Sequence, residues 1–342
     1  MNLFRTHLRP LVLIGVALMG LAGPARAQHA GYRTLTIAGD PPTTVALFYP
    51  TAAPDRVVPM GPWLPAVAQG APASDAQFKG LILISHGTGG TELNHHNLAT
   101  RLAREGYLVA AVRHAGDNWQ DRSLIASGRY FSERPLQLSR VLDALLASPE
   151  WGARIPTDHI GAVGHSAGGY SVLALAGAQA EAQRSTQHCA AVQDDPGYCS
   201  LAKGAAVAQA PGTPAASTAA PATQPVSVPD RRIRAVVVLA PMAVVFTPQS
   251  LAAISVPVLI IMAERDAVLN GKYHGGYVAA NLPKAQVSTV GGAGHFAFMA
   301  QPTFPLPSAA GDAAANPPGF DRGAFLPALE SQVTEFFADQ WR

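Results

Sequence analysis

The segment that most constrains this 342-residue chain is Ile160 to Gly169, IGAVGHSAGG. Its first half is an apolar run suited to a buried strand, and Ala167 to Ala178 favours helix, so the residues between them must turn sharply. Gly164-His165-Ser166-Ala167-Gly168 fits the G-x-S-x-G pattern of a nucleophile elbow. A side chain carried on such a turn needs strained backbone geometry, and side chains two residues to either side would collide. Glycine at those positions removes the collisions. The turn also aims the first amides of the following helix at whatever Ser166 attacks, which makes the Ala167 N–H a candidate donor to a developing oxyanion.

The N-terminus reads as a secretory signal: Arg5 and Arg9 precede the apolar run Leu11 to Ala22, and Ala25-Arg26-Ala27 supplies a small-x-small cleavage site. Residues 1–27 are therefore set aside from fold reasoning, and the mature chain is expected to be exported, periplasmic or secreted. No other stretch is long enough to span a bilayer. Lys and Arg number 24 against 22 acidic residues, a near-neutral balance that gives no electrostatic case for binding nucleic acid. Cys189 and Cys199 flank an Asp-Asp-Pro-Gly turn signal and are expected to form a local disulfide. With His188 they are too few to hold a metal.

After the signal the chain alternates strand-like and helix-like segments. Tyr32 to Ala38 and Thr43 to Tyr49 suggest an antiparallel pair, and Thr51 to Lys79, rich in Pro, Ala and Gly, reads as a long surface loop. Leu81 to Ser85, Tyr107 to Val112, the elbow strand, Ile233 to Ala240, Val256 to Met262 and Ala285 to Val290 read as further strands, mostly continuous apolar runs fit for burial. Helices are expected over Thr91 to Glu105, Arg134 to Leu146, Ala167 to Ala178 and Ala324 to Phe337. Residues 181–230 read as an insertion over the sheet, partly disordered in the Ala/Pro/Thr-rich tract 204–229. The whole implies one α/β domain over residues 28–342. Its sheet is mostly parallel, with its site at the carboxyl ends of the strands.

Four loops at such ends carry His86-Gly87-Thr88, Ser166, Asp266 and His295. A serine hydroxyl needs an adjacent base, and His295, in a glycine-rich loop, is the best candidate. Asp266 would fix its tautomer; Glu264, two residues earlier, is the rival acid, less favoured because it lies closer to the strand. Thr88, ahead of Gly89-Gly90, is the candidate second oxyanion donor beside Ala167. Singly, Ser166 also fits a helix N-cap, Asp266 a turn and His295 a backbone-bonded loop residue. It is their joint placement that favours a triad. His86 and His165 are read as packing groups beside it, His95-His96 as too divergent on a helix to share a metal, His114 and Asp117 as turn or pocket-lining residues, and the segment Arg129 to Arg134 as a cation near the pocket or a solvated or paired surface group.

With SHGTGG, RHAGDN, GHSAGG, AERD and GAGH in this order, the chain resembles the dienelactone-hydrolase-like branch of the α/β-hydrolases, in particular exported enzymes related to platelet-activating-factor acetylhydrolases. The resemblance covers roughly residues 32–338 and implies ester hydrolysis through Ser166, Asp266 and His295, with Thr88 and Ala167 as oxyanion donors. Two departures matter: a true dienelactone hydrolase has a cysteine nucleophile where Ser166 stands, and the Pro/Ala-rich insertion has no counterpart. The expected substrate is a small ester with a short acyl chain, handled without cofactor. An amidase or peptidase with the same triad, or a catalytically silent binding protein on the same fold, are the alternatives.

Overall fold

In the computed structural model, residues 29–207 and 224–342 are described; the proposed signal, 1–27, and most of the tract 204–229 lie outside them. The chain begins with β1 (His29–Ile37) and β2 (Thr43–Thr51), an antiparallel pair. The expected surface loop after them instead contributes β3 (Arg56–Val57) and β4 (Ala66–Gln69), which extend the sheet beyond β1. Trp63, Val67 and Phe78 explain the difference, because these three buried side chains fasten the Pro-rich stretch to the body.

There follow β5 (Leu81–Ser85), α1 (His96–Arg104), β6 (Leu108–Arg113), α2 (Tyr130–Ala147), β7 (Ile160–His165) and α3 (Ala167–Leu175). Two helices that the sequence pattern did not announce, α4 (Ala182–Ala191) and α5 (Pro196–Val207), are joined by the Cys189–Cys199 disulfide. The last part supplies β8 (Ala235–Leu239), α6 (Pro248–Ala252), β9 (Val258–Ala263), α7 (Gly275–Asn281), β10 (Gln286–Val290), the small hairpin β11 (Pro307–Ser308) and β12 (Gly311–Asp312), and α8 (Arg322–Gln340). The ten-stranded sheet runs β10-β9-β8-β7-β5-β6-β2-β1-β4-β3 and is parallel from β10 through β6. Among the described residues no helix is long and apolar enough to cross a membrane.

Both faces of the sheet are covered, which is why its central strands are apolar throughout. In β5, Leu81 and Leu83 join the core under α2 and α3, while Ile82 and Ile84 join the core under α1 and α8. Gly161 of β7 lets Phe337 of α8 lie on the sheet: a Cβ there would come within 2.4 Å of the ring. Phe337 is fully buried.

At the carboxyl edge the core turns polar. His86, His95, His96, His114 and His165 are all buried there, and burial pushes each of them below the usual imidazole range, His95 and His96 to about 4. These rings therefore fold as neutral bases, and all but His96 hold a hydrogen-bond partner. Nδ1–H of His95 donates to the Phe298 carbonyl at 3.0 Å, and His114 holds Gln137 Oε1 at 2.9 Å and Ser85 Oγ at 2.7 Å.

Two outcomes are expected. Phe337→Ala should lower the unfolding free energy in a denaturant titration by about 3–5 kcal/mol, since it leaves a ring-sized void over Gly161; a loss under about 1 kcal/mol would mean that α8 repacks freely. An imidazole whose folded pKa lies below its unfolded value favours folding while it is neutral, so the benefit is complete above pH ~6.5 and is lost as the pH falls toward the folded value. By pH 5, His95 and His96 should each cost about 2 kcal/mol. Unfolding free energy should thus drop between pH 7 and 5, above the range where carboxylates protonate; a flat profile there would contradict the buried, neutral state of these rings.

Candidate active site

Ser166 stands between β7 and α3 with φ 56° and ψ −119°, a conformation that L residues rarely adopt. The surrounding backbone holds it there. Its N–H donates to the Leu239 carbonyl at 3.0 Å, and its own carbonyl accepts from Met242 at 2.9 Å. Ser166 occupies the N-cap position of α3, but its side chain makes no capping bond. A Cβ on Gly164 would lie 2.1 Å from the Gly168 carbonyl oxygen, and one on Gly168 would lie 1.9 Å from that of Ser85. No side chain fits at either position, so the helix sits directly on the strand.

His295 follows β10 and is buried; its Nδ1–H donates to Asp266 Oδ2 at 2.8 Å. Asp266, after β9, is itself oriented, because its other oxygen accepts from the N–H groups of Val268 and Leu269 at 2.9 and 2.8 Å. With Nδ1 protonated against the carboxylate, His295 Nε2 is left as the basic nitrogen. Glu264 does not touch the ring; it accepts from the Gly292 N–H at 2.7 Å and so shapes the glycine loop that carries His295. His165 bridges the two halves of the site. Its Nε2–H donates to the His295 carbonyl at 2.9 Å, and the two rings lie 4.8 Å apart, which sets the His295 imidazole beside the residue preceding Ser166. Ser166 Oγ and His295 Nε2 form no hydrogen bond with each other or with any other group among the described residues.

The loop after β5 passes over the elbow: a Cβ on Gly87 would be 3.2 Å from the Ser166 Cβ. Neither the Thr88 N–H nor the Ala167 N–H has a hydrogen-bond partner among the described residues, while the Thr88 hydroxyl pairs with Tyr130 at 2.8 Å. His86 does not face the hydroxyl; it donates to the Gly87 carbonyl at 2.6 Å and accepts from the His114 N–H at 3.1 Å. Asp117, read from sequence as a turn or pocket residue, and Arg134, read as a cation near the pocket or a surface group, form a wholly buried ion pair behind this loop. No sequence spacing links a strand-exit loop to a helix in that way.

The insertion leans on the Asp266 loop. Asp195 is buried between His188 and His274, at 2.8 and 3.0 Å, and accepts from the Asn270 N–H at 3.1 Å. Beside Asp266, a groove of about 370 Å³ is lined by Pro196, Gly197, Ser200, Ala267, Val268 and Gly311; neither Ser166 nor His295 lines it. Among the described residues no three His, Cys, Asp or Glu side chains are grouped to hold a metal.

No protein-family model matches the chain, and no curated relative does. Solved structures do. Ferulic acid esterase from Streptomyces cinnamoneus superposes with a TM-score of 0.58 at 18% identity, over 92% of this chain and 91% of that one. Dienelactone hydrolase from Anabaena variabilis gives 0.50 at 13% identity, over 91% and 98%. A puromycin-hydrolyzing peptidase from Mycobacterium tuberculosis gives 0.50 at 12% identity, over 91% of this chain and 39% of that one. At such identities the likeness is one of architecture, and together with the sheet order and the strand-end loops it establishes that this chain has the α/β-hydrolase fold.

Proposed function

We propose that the protein is an exported serine hydrolase of carboxylic esters, with Ser166 as nucleophile, His295 as base and Asp266 as its orienting acid. The observation that carries the reading is the His295–Asp266 hydrogen bond at 2.8 Å, set beside a serine in the backbone conformation of an elbow. A hydroxyl–imidazole contact that is open in the free enzyme tightens when substrate fills the site. Ser166 Oγ then attacks the ester carbonyl as His295 Nε2 takes its proton, and the tetrahedral oxyanion lies against the Thr88 and Ala167 N–H groups. Collapse breaks the carbon–oxygen bond, His295 passes the proton to the leaving alcohol, and water attacks the acyl-enzyme by the same route.

Esters are favoured over amides because two of the structural neighbours, an esterase and a dienelactone hydrolase, align over nearly their whole length, whereas the peptidase aligns over 39% of its own. Export agrees with the Cys189–Cys199 disulfide, a bond that persists in oxidising compartments.

A panel of p-nitrophenyl esters of graded acyl length, set against matching anilides, tests the reading. Ester turnover should exceed anilide turnover and fall as the chain lengthens. Asp266→Asn should lower kcat by about 10⁴-fold, the effect of neutralising the acid in a Ser-His-Asp triad. Glu264→Gln should leave kcat near wild type. Faster anilide cleavage would make the protein an amidase, and a full-strength Asp266→Asn variant would remove Asp266 from the reaction.

A further inference from the structure

We infer that Arg134 and Asp117 are positioning residues for the oxyanion hole, fixing the separation of its two N–H donors; this rests on the reading of Ser166 as a nucleophile. Arg134, in the first turns of α2, is fully buried, and its guanidinium bonds to four groups in three other parts of the fold. It pairs with the Asp117 carboxylate from the loop after β6, donates to the His86 carbonyl, and reaches Ser85 Oγ at 3.4 Å at the end of β5. Through Nε it reaches Ser171 Oγ on α3 at 3.2 Å. Asp117, also fully buried, spends its second oxygen on the Gly89 N–H at 2.8 Å.

Arg134 anchors residue 86 and Asp117 anchors residue 89, so Gly87 and Thr88 are strung between two fixed points, with Gly87 against Ser166. The same guanidinium holds α3 one turn beyond Ala167, where Ser171 Oγ also donates to the Ala167 carbonyl at 3.0 Å. One cation is thus bonded to both the loop carrying the Thr88 N–H and the helix carrying the Ala167 N–H. A buried ion pair adds little to stability that an apolar group of the same volume would not supply. What a guanidinium adds is several donors in a rigid plane, which lysine lacks. An oxyanion hole needs that rigidity, because donors misplaced by about 1 Å cost about 100-fold in rate.

The test uses the full-length mature protein, with Arg134→Lys, Asp117→Asn and Ser171→Ala compared with wild type on a p-nitrophenyl ester and on its thionoester, in which sulfur replaces the carbonyl oxygen. Sulfur accepts hydrogen bonds weakly, so the ester-to-thionoester rate ratio reports on the hole itself, whereas partial unfolding scales both rates alike. Arg134→Lys and Asp117→Asn should lower kcat by about 100-fold with KM little changed, and should narrow the ratio. Ser171→Ala, which cuts only the helix-side link and leaves the ion pair in place, should do both to a smaller degree and serves as the deciding variant should the other two fail to fold. An unchanged ratio in the folded variants, with lowered melting temperature alone, would overturn the inference. A wild-type protein inert toward both substrates would instead overturn the functional reading on which it rests.

Discussion

The structure turns on a contact without side chains. Where β5 and β7 pair in parallel, Ser85 lies opposite Gly164, and α3 leaves β7 so steeply that Gly168 presses onto the Ser85 carbonyl. That proximity is possible only because neither glycine carries a Cβ, and it forces the intervening Ser166 to a φ of 56°. The hydroxyl is thereby lifted off the strand and the amide end of α3 is brought under it. The direct seat of helix on strand also leaves room for the next loop, Gly87-Thr88, to lie across the serine.

Around that contact the fold arranges buried polar groups rather than an apolar plug. His165, adjacent to Ser166, reaches across to the His295 carbonyl, and the loop of His295 is shaped in turn by Glu264. The disulfide-closed insertion plays a comparable part outside. Asp195 grips the segment that follows Asp266 through Asn270 and His274, so the acid of the His295 pair rests on a loop held from both sides.

Much of this was legible in the sequence because it is local. A run such as Leu81 to Ser85 announces a buried strand, and glycines on either side of Ser166 announce the turn. Asp266 and His295 were readable as candidates by position, each just beyond a strand; the structure bonds His295 to Asp266 and ties Glu264 to Gly292. Other features were hidden because their causes are distant in the chain. The stretch 51–79 has the composition of a loop, yet Trp63, Val67 and Phe78 bury themselves in surfaces made elsewhere. Helices α4 and α5 have weak patterns of their own and depend on the disulfide and on Asp195. Arg134 looks like one of many surface arginines until the loops of Asp117 and His86 close over it.

Whether Ser166 is an activated nucleophile is decided by peptide mass spectrometry after treatment with a fluorophosphonate. One stoichiometric adduct per chain is expected, on the peptide bearing Ser166, lost when His295 is replaced by alanine. An unmodified Ser166 peptide from correctly folded protein, or equal labelling with and without His295, would contradict it.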